Sequence, residues 1–386
     1  MEKQLFDDAV ALLRELIATP RVSREEDRAA DILYDRMAEW GLNPQRVKNN
    51  VFAMQMVNGQ WSTVNGQRST DKPTLLLNAH IDTVKPVSSW TRNPHSPDIE
   101  DGRLYGLGSN DCGGGLVSLL AVYRQIVNRK SDNCKYNLVF LASAEEEVSG
   151  KDGIASVFPT LNTQLSLLTP NSSLQTPHSS LLTPNSIDVA IVGEPTGMQP
   201  AVAEKGLMVI DGYSHGVSGH AAREEGVNAI YEALDDLTWL RDYRFQRVSP
   251  LLGPAKMTVT QVESGTQHNV VPDLLHFVID VRPNELYRNE DILDFLQKNM
   301  KHCELKARSF RLRSSSIALD HPLVQACLQK GLKPFGSPTL SDQALMPWPS
   351  LKMGPGDSAR SHSADEYIGL DEIAKAIDIY MDMICG

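Results

Sequence analysis

His80 and Asp82 stand two residues apart at the end of the apolar run TLLLNAHID. In an extended strand, residues i and i+2 face the same side, so the imidazole and the carboxylate can meet. A neighbouring carboxylate fixes the tautomer of a histidine and makes it a better metal ligand. The spacing therefore indicates a metal ligand with its partner, or alternatively a structural hydrogen bond.

Asp111 comes just before three glycines in the stretch YGLGSNDCGGG. This is not a phosphate-binding loop, because the third glycine of GxGxxG is missing and no GK[ST] follows. Glycine here lets the backbone pack closely beneath Asp111. Taken alone, a turn aspartate is the simpler interpretation.

The apolar run YNLVFLASA leads directly into Glu145, Glu146 and Glu147. Without a cation nearby, mutual repulsion at the end of a buried strand would raise the pKa values of these carboxyl groups. Adjacent residues of a nearly extended chain point to opposite sides, so Glu146 and Glu147 cannot share one role. One can bind a metal while the other faces a water; a solvated acidic loop is the alternative.

Two further side chains complete a set of metal-binding types. Glu194 follows the apolar run VAIVG, and taken alone it would be an ordinary strand-end glutamate. His362 lies in the late loop KMGPGDSARSHSADEYIG, and taken alone it would be an exposed loop residue. Together the set suits two divalent ions, zinc in the first place and cobalt as an alternative. Its members are His80, Asp111, Glu147, Glu194 and His362. With one bridging aspartate, each ion gets one histidine and one glutamate, and two such ions can share and acidify a water.

The elements that must position these residues alternate along the chain. We predict helices over 4–18, 24–40 and 113–129, and buried strands over 74–81, 136–144 and 189–195. The second helix opens with Ser23 and Glu26 at capping-box spacing. Helices that alternate with apolar strands predict an α/β fold with a mainly parallel sheet.

From about residue 198 the pattern changes to alternating strands, KGLMVIDGYSHG, AKMTVTQVES and LLHFVIDVRP, with helices expected at 226–240 and 289–301. This predicts an inserted, smaller α+β domain over 198–314 between two parts of a catalytic domain, 1–197 and 315–386. The chain ends in the helical pattern LDEIAKAIDIYMDMI. Residues 158–188, rich in Ser, Thr, Pro and Asn, are expected to form a solvated excursion in which His178 is exposed.

The totals narrow the classes of function. A chain of 386 residues favours two domains, and a net charge of −11 argues against a nucleic-acid surface. The N-terminus lacks the pattern of a signal peptide, and no run reaches the roughly 18 apolar residues that span a membrane. Five widely spaced cysteines favour free thiols in a reducing cytoplasm. We expect a cytoplasmic protein without nucleic-acid or membrane partners.

The order HxD, Asp before a glycine-rich turn, EEE, GEP and a late loop histidine resembles the dinuclear zinc amidohydrolase and metallopeptidase family. That family includes acetylornithine deacetylase, succinyl-diaminopimelate desuccinylase, aminoacylases and carboxypeptidase G. The resemblance covers nearly the whole chain. The segments SGTQHNVVPD and SPTLSDQAL are most similar to those of acetylornithine deacetylases.

The resemblance implies a role for each site residue. The metal ligands are the five side chains of the set above, with Asp111 as the bridging carboxylate. Asp82 is the partner of His80, and Glu146 is the general base. In relatives the peptide bond that follows the aspartate corresponding to Asp111 can be cis.

The inserted domain resembles the lid of that family. In GVSGHAAREEG, His220 would stabilise the oxyanion in the active site of a partner subunit, which implies a homodimer. Asn269 and Arg282 resemble residues that hold the substrate carboxylate. The alternatives are a helix cap for His220, a turn role for Asn269 and an ion pair with Asp280 or Glu285 for Arg282.

The implied reaction is zinc-dependent hydrolysis of an N-acyl amino acid, most specifically N-acetyl-L-ornithine to L-ornithine and acetate, as in arginine biosynthesis. Succinylornithine, succinyl-diaminopimelate and dipeptides are alternative substrates. Desuccinylases carry GGTSD where this chain reads SPTLSD, with Leu340 in place of their threonine. A non-catalytic metal-binding dimer and a serine hydrolase using GDSARSH also stay open as hypotheses, although no GxSxG motif occurs.

Overall fold

The computed structural model describes residues 2–55, 62–64, 67–69, 72–129, 133–168, 187–223 and 225–386. The chain divides into two compact units. The first comprises Met1–Val202, Ile317–Pro334 and Met346–Gly386, and the second comprises Ala203–Ser316 and Phe335–Leu345. The second unit therefore includes a short segment from near the end of the chain as well as the central stretch.

Six of the eight α-helices of the described residues lie close to predicted helices, whereas α4 and α7 were not predicted. In chain order they are α1 (Lys3–Ile17), α2 (Asp27–Glu39), α3 (Gly114–Arg129), α4 (Phe158–Leu168), α5 (Ala229–Asp242), α6 (Asn289–Asn299), α7 (Pro322–Gln329) and α8 (Leu370–Cys385).

The strands before residue 200 are β1 (Gln45–Val47), β2 (Asn50–Gln55), β3 (Ser62–Val64), β4 (Gln67–Ser69), β5 (Thr74–His80), β6 (Ile99–Glu100), β7 (Arg103–Tyr105), β8 (Asn137–Ser143) and β9 (Val189–Val192). The later strands are β10 (Ala201–Glu204), β11 (Met208–His215), β12 (Val248–Ser249), β13 (Gly253–Pro254), β14 (Lys256–Ser264), β15 (Leu274–Arg282), β16 (Cys303–Ala307), β17 (Ser315–Ser316), β18 (Phe335–Ser337), β19 (Ser350–Lys352) and β20 (Tyr367–Gly369).

The main sheet has the strand order β1-β2-β8-β5-β9-β19-β10-β17. Its central strands β8, β5, β9 and β19 are parallel, whereas β1, β2 and β10 join antiparallel. The predicted α/β class is thus confirmed, with the parallel part at the centre. Because the carboxyl ends of parallel strands share one edge, residues that follow β5, β8 and β9 come together there.

Burial explains why these segments form central strands. Leu75, Leu76 and Leu77 are fully buried in β5, as continuous apolar runs are in parallel sheets covered on both faces. Helix α1 buries Leu5, Ala9 and other residues of one face at helical spacing. Among the described residues, no helix combines the length and apolar character needed to cross a membrane.

The second unit contains the antiparallel sheet β14-β15-β11-β16. Helices α5 and α6 share one apolar core with this sheet, in which Ile210, Phe277 and Leu296 are fully buried. The three strands predicted from alternation all form, because every second residue of β11 and β15 is needed for that core. This unit is α+β, as expected.

Two local predictions are wrong. Ser23 does not cap α2, which begins at Asp27 after Glu26 as N-cap without a side-chain capping bond. The Ser23 hydroxyl donates instead to Asp82 at 2.6 Å, a stronger, charge-assisted bond. Residues 158–168 form α4 rather than an excursion, because Leu161 is buried and the Phe158 ring packs against Trp348. The rest of that segment up to residue 186, with His178, lies outside the described residues.

Candidate active site

Three strand ends deliver acids and a histidine to one place. His80 is the last residue of β5, and β8 ends just before Ala144 and the three glutamates. Gly193, after β9, donates its N–H to the Asn78 carbonyl of β5 at 2.8 Å, which holds Glu194 beside the strand that carries His80. The sheet itself thus places these groups side by side.

Asp111 lies at the centre of the cluster. One carboxylate oxygen is 3.2 Å from His80 Nε2, and the other is 3.5 Å from His362 Nε2. Glu194 Oε1 lies 3.6 Å from the His80 ring, and Glu147 Oε2 lies 3.0 Å from the His362 ring. The structure therefore brings all five side chains of the predicted metal-ligand set together, as two histidine–glutamate pairs on either side of one aspartate.

The turn that carries Asp111 depends on close backbone packing. The peptide bond between Asp111 and Cys112 is cis, a conformation that the family resemblance allows. A Cβ at Gly115 would overlap the carbonyl oxygen of Gly193, the residue before Glu194. The triple glycine thus lets the start of α3 pack directly against the end of β9, which supports the packing role inferred from the sequence.

Asp82 ties the end of β5 to the acidic loop. His80 Nδ1 is 2.9 Å from the backbone carbonyl of Asp82 and 3.6 Å from its carboxylate. The carboxylate accepts the hydroxyl of Ser23 and the backbone N–H groups of Glu146 and Glu147, the latter two at 3.0 and 3.2 Å. Its closest contacts therefore orient the acidic loop, and its contact with the His80 ring is the longer one.

The cluster packs three acidic side chains, Asp111, Glu147 and Glu194, close together with little exposure to solvent. Burial, with Asp111 and Glu147 nearby, raises the pKa of Glu194 to about 8. Among the described residues, its buried Oε1 atom has no hydrogen-bond partner. The hydrogen bond to Glu147 raises the pKa of His362 to about 9. A buried, unsatisfied carboxylate oxygen beside further acids is the arrangement that a divalent cation relieves.

His80 is buried within the cluster. Burial by itself would lower the pKa of His80, but Cys112, Glu194 and Asp111 together raise it well above the ordinary value. The Cys112 thiol accepts the backbone N–H of His80 at 3.2 Å, and its sulfur lies within 4.8 Å of ligand atoms of His80 and Glu194. Burial also raises the pKa of this thiol. Cys112 was not predicted as a site residue, because no CxxC or Cys–His spacing marks it in the sequence.

Three of the predicted site residues, His220, Asn269 and Arg282, belong to the second unit. His220 is exposed, and its Nδ1 accepts the N–H of Ala222 at 3.1 Å, while Asn228 caps α5. Asn269 is also exposed, and its carbonyl accepts the N–H of Ala221 at 3.0 Å, so the His220 and Asn269 segments adjoin.

The guanidinium of Arg282, the third of these residues, forms two hydrogen bonds to Asp280, at 2.8 and 3.0 Å. This is the ion pair that the sequence left open as an alternative to a substrate contact.

Comparison with known proteins identifies the family. The sequence profile of peptidase family M20/M25/M40 matches residues 76–385, which is most of the chain. The chain belongs to this family. It is therefore a metal-dependent hydrolase, and the resemblance stated from the sequence motifs is confirmed.

The following relatives and solved structure resemble this chain at low sequence identity. A succinyl-diaminopimelate desuccinylase of Caulobacter sp. (strain K31) is 26% identical over 304 residues, which is 76% of this chain and 70% of the relative. An acetylornithine deacetylase of Proteus mirabilis (strain HI4320) is also 26% identical, over 388 residues, 94% of this chain and 92% of the relative. The YXEP protein of Bacillus subtilis, described as a dinuclear metal-binding peptidase, superposes with a TM-score of 0.71 at 15% identity, covering 100% and 98% of the two chains. This structural likeness shows the common fold.

Several buried polar residues behind the cluster were not predicted from the sequence. Glu26 is fully buried and accepts the backbone N–H of Glu145 at 3.2 Å; burial raises its pKa to about 7. Arg21 and Glu366 are buried just as deeply. The only sequence signal for them is a charged residue next to a motif, which is too common to be informative.

Proposed function

We propose that this enzyme hydrolyses the amide bond of N-acyl amino acids with the help of two divalent cations, zinc in the first place. One observation carries the proposal: the two oxygens of Asp111 face two different histidines, each of which also contacts a glutamate. A bridging carboxylate between two such pairs suits two cations. His80 and Glu194 would hold one, and His362 and Glu147 the other.

When bound, the cations supply Lewis-acid activation of the amide carbonyl and acidification of a water. The chain's own residues do the rest. Glu146 acts as general base, takes the proton of the attacking water and returns it to the leaving amine. Asp82 supports this role, since its carboxylate fixes the backbone N–H of Glu146 and so the position of the base.

The second unit supplies the remaining groups of the proposal. His220 donates a hydrogen bond to the developing oxyanion in the active site of a partner subunit, and Asn269 and Arg282 hold the substrate carboxylate. Arg282 donates two hydrogen bonds to Asp280. On this proposal, Asp280 holds the Arg282 guanidinium in a fixed orientation before the substrate binds. On this proposal, the second unit corresponds to the lid domain that the sequence analysis expected.

N-acetyl-L-ornithine is the substrate that we propose, with L-ornithine and acetate as products, a step of arginine biosynthesis. The similarity to an acetylornithine deacetylase over 94% of the chain supports it. In the SPTLSD segment, the hydroxyl of Ser341 donates to the buried Glu204 at 2.7 Å, and Leu340 stands where desuccinylases have threonine. This segment therefore offers fewer free hydroxyl donors to a succinyl carboxylate. A desuccinylase activity remains the second candidate, because a desuccinylase is equally similar in identity.

A panel of N-acyl amino acids tests the substrate. N-acetyl-L-ornithine, N-succinyl-L-ornithine, N-succinyl-diaminopimelate and dipeptides are incubated with the zinc-loaded enzyme, and the released amine is measured. Glu146→Gln, prepared in parallel, is the control for contaminating hydrolases. Preferred cleavage of the acetylated compound supports the proposal. Preferred cleavage of a succinylated compound or of a dipeptide contradicts the substrate while it leaves the chemistry intact.

We also propose a homodimer built through the second unit. Strand β14 lies at the edge of its sheet, where unpaired backbone groups favour pairing with another strand. Apolar side chains near this edge are unusually exposed: Val262 at 54% on β14, with Tyr231 at 71% and Leu234 at 51% on α5. The five cysteines are widely spaced in the sequence and form no CxxC pair, which supports a reducing cytoplasm as the compartment that we propose.

A further inference from the structure

Glu366 accepts three backbone N–H groups from the turn that carries Asp111. Its Oε1 atom accepts from Asn110 at 2.8 Å and from Asp111 at 2.9 Å, and its Oε2 atom accepts from Gly108 at 3.0 Å. The residue is only 2% exposed and follows His362 in the same loop. One buried carboxylate therefore joins the Asp111 turn to the loop that carries His362.

Arg21 joins the same turn to the end of β5. Its Nη1 donates to the carbonyl of Ile81 at 2.8 Å, and this residue stands between His80 and Asp82. Its Nη2 donates to the carbonyl of Gly108 at 2.9 Å. Since Arg21 is 1% exposed, the guanidinium links two segments that are far apart in sequence through the interior of the first unit.

The turn is shaped to receive these two side chains. Gly108 has a φ of +73°, and a Cβ there would lie 2.5 Å from Arg21 Nη2. Asn110 adds bonds to the late loop, since its Oδ1 accepts the N–H of Asp357 at 3.0 Å and its Nδ2 donates to Ser361 Oγ at 3.3 Å. We call Arg21, Gly108, Asn110 and Glu366, with the hydrogen bonds described above, the framework. Each of these hydrogen bonds ends on a segment that carries one of the clustered side chains.

Stability alone is a poor reason for such a framework. Taking a guanidinium and a carboxylate out of water is costly, and well-packed apolar side chains of similar volume are often at least as stabilising. Apolar side chains would not, however, fix three backbone segments by directed bonds. Because the framework contacts the turn that carries Asp111, we expect it to fix the positions of the side chains around Asp111.

We infer that Glu366 and Arg21 are positioning residues that set the spacing of His80 and His362 across Asp111. The inference rests on the proposed function, in which these residues hold two cations. Glu366 fixes the distance between Asp111 and His362, and Arg21 fixes the distance between Asp111 and His80. Neither side chain touches substrate, so their effect is on how tightly and in what geometry the cations bind.

Cobalt binding to the metal-free protein tests this inference. Glu366→Gln places an amide NH₂ against backbone N–H donors, so at least one bond is lost and two donors face each other. We expect the Kd of at least one of two cobalt ions to rise about 10–100-fold, as is typical for residues that orient metal ligands. The visible absorption of bound cobalt should also change. Arg21→Lys, which keeps the charge but not the two-pronged bond, should act in the same direction.

Asp236→Asn is the matched control. Asp236 is 1% exposed and accepts three backbone N–H groups, from Lys301, His302 and Cys303, at 2.8–2.9 Å. It belongs to the second unit. Its loss should lower thermal stability while cobalt affinity and spectrum stay as in the unmodified protein.

The outcomes separate the two proposals. If the unmodified protein binds two cobalt ions and Glu366→Gln and Arg21→Lys bind them with unchanged affinity and spectrum, the inference is wrong. The same holds if Asp236→Asn weakens cobalt binding equally, since the effect would then be general loss of stability. An unmodified protein that binds fewer than two cobalt ions contradicts the proposed function itself. Should Glu366→Gln fail to fold, Glu366→Asp, which keeps the carboxylate, supplies the comparison.

Discussion

The carboxylate of Asp82 accepts the backbone N–H of Glu146 at 3.0 Å. The strand that carries the first histidine of the cluster therefore also fixes the loop that carries the proposed base. A single buried aspartate connects the two halves of the proposed chemistry, cation binding and proton transfer. Such a connection explains why an aspartate follows His80 by two residues although its carboxylate is 3.6 Å from the His80 ring.

Replacing Asp82 with Asn should weaken cation binding more than it weakens the fold. The amide keeps the size but loses the charge and one acceptor, so the backbone of Glu147 is no longer held. We expect about 10–100-fold weaker zinc binding, measured by competition with a chromophoric chelator. Ser23→Ala is the graded control, because it removes one of three donors to Asp82 and leaves the charge. An equal effect of the two substitutions would contradict this role.

Glu146 and Glu147 should give opposite phenotypes despite being neighbours. Glu146→Gln should reduce kcat by about 10²–10⁴-fold while two zinc ions per chain are retained, since the residue moves protons. Glu147→Gln should lose zinc along with activity, because its carboxylate contacts His362 in the cluster. Metal content by mass spectrometry and turnover are measured on the same preparations. Loss of zinc from the Glu146 variant would mean that base and ligand have been exchanged.

The metal-free protein should lose stability as pH rises from about 5 to about 9. Glu26 has a folded pKa of about 7 against 4.5 for the free residue, so its contribution is full below the lower value and is lost as pH passes the higher one. His362, raised from 6.5 to about 9, acts in the same direction. Calorimetry of the metal-free protein should show a falling Tm across this range.

Glu26→Gln isolates one part of that pH dependence. The neutral amide can still accept the N–H of Glu145 through its oxygen, and its NH₂ replaces the Glu26 Oε2 atom, which has no hydrogen-bond partner among the described residues. We expect the variant to lose less stability between about pH 5 and pH 8 than the unmodified protein, and to be at least as stable at the upper end. A steeper decline in the variant would contradict the raised pKa.

Mixing two inactive variants tests whether His220 acts across a dimer. Heterodimers of Glu146→Gln and His220→Ala chains contain one site with both residues intact if His220 comes from the partner. Random mixing should then restore roughly a quarter of the unmodified activity, since half of the dimers are mixed and each has one complete site. Glu146→Gln mixed with Glu147→Gln is the control and should restore none. The absence of complementation in the first mixture would assign His220 to its own chain.

The sequence predicted the site best where a metal-binding side chain comes at the end of a predicted strand. His80, Glu147 and Glu194 each follow an apolar run, and parallel pairing of β5, β8 and β9 must bring such residues to one edge. His362 was included only because its residue type completes the set of metal-binding side chains, since a histidine in a loop has no periodicity to place it. The capping role expected of Ser23 failed for a related reason: local spacing cannot show that Asp82 competes for the hydroxyl.

The framework behind the site could not be predicted in the same way. The bonds of Glu366 to Asn110 and Asp111 cross more than 250 residues of chain. Nothing in the local sequence of Arg21 distinguishes a buried guanidinium from an exposed one. Such contacts depend on the final packing of distant segments, and a hydrophobic pattern carries no information about which buried polar groups will meet.

Anomalous X-ray diffraction from crystals of the zinc-loaded enzyme, collected at the zinc edge, tests the central claim most directly. We predict two peaks per chain, about 3.5–4 Å apart, with one oxygen of Asp111 next to each. One peak should lie beside His80 and Glu194, the other beside His362 and Glu147. A single peak, or a second peak away from Asp111, would contradict the two-cation site on which the proposed hydrolysis depends.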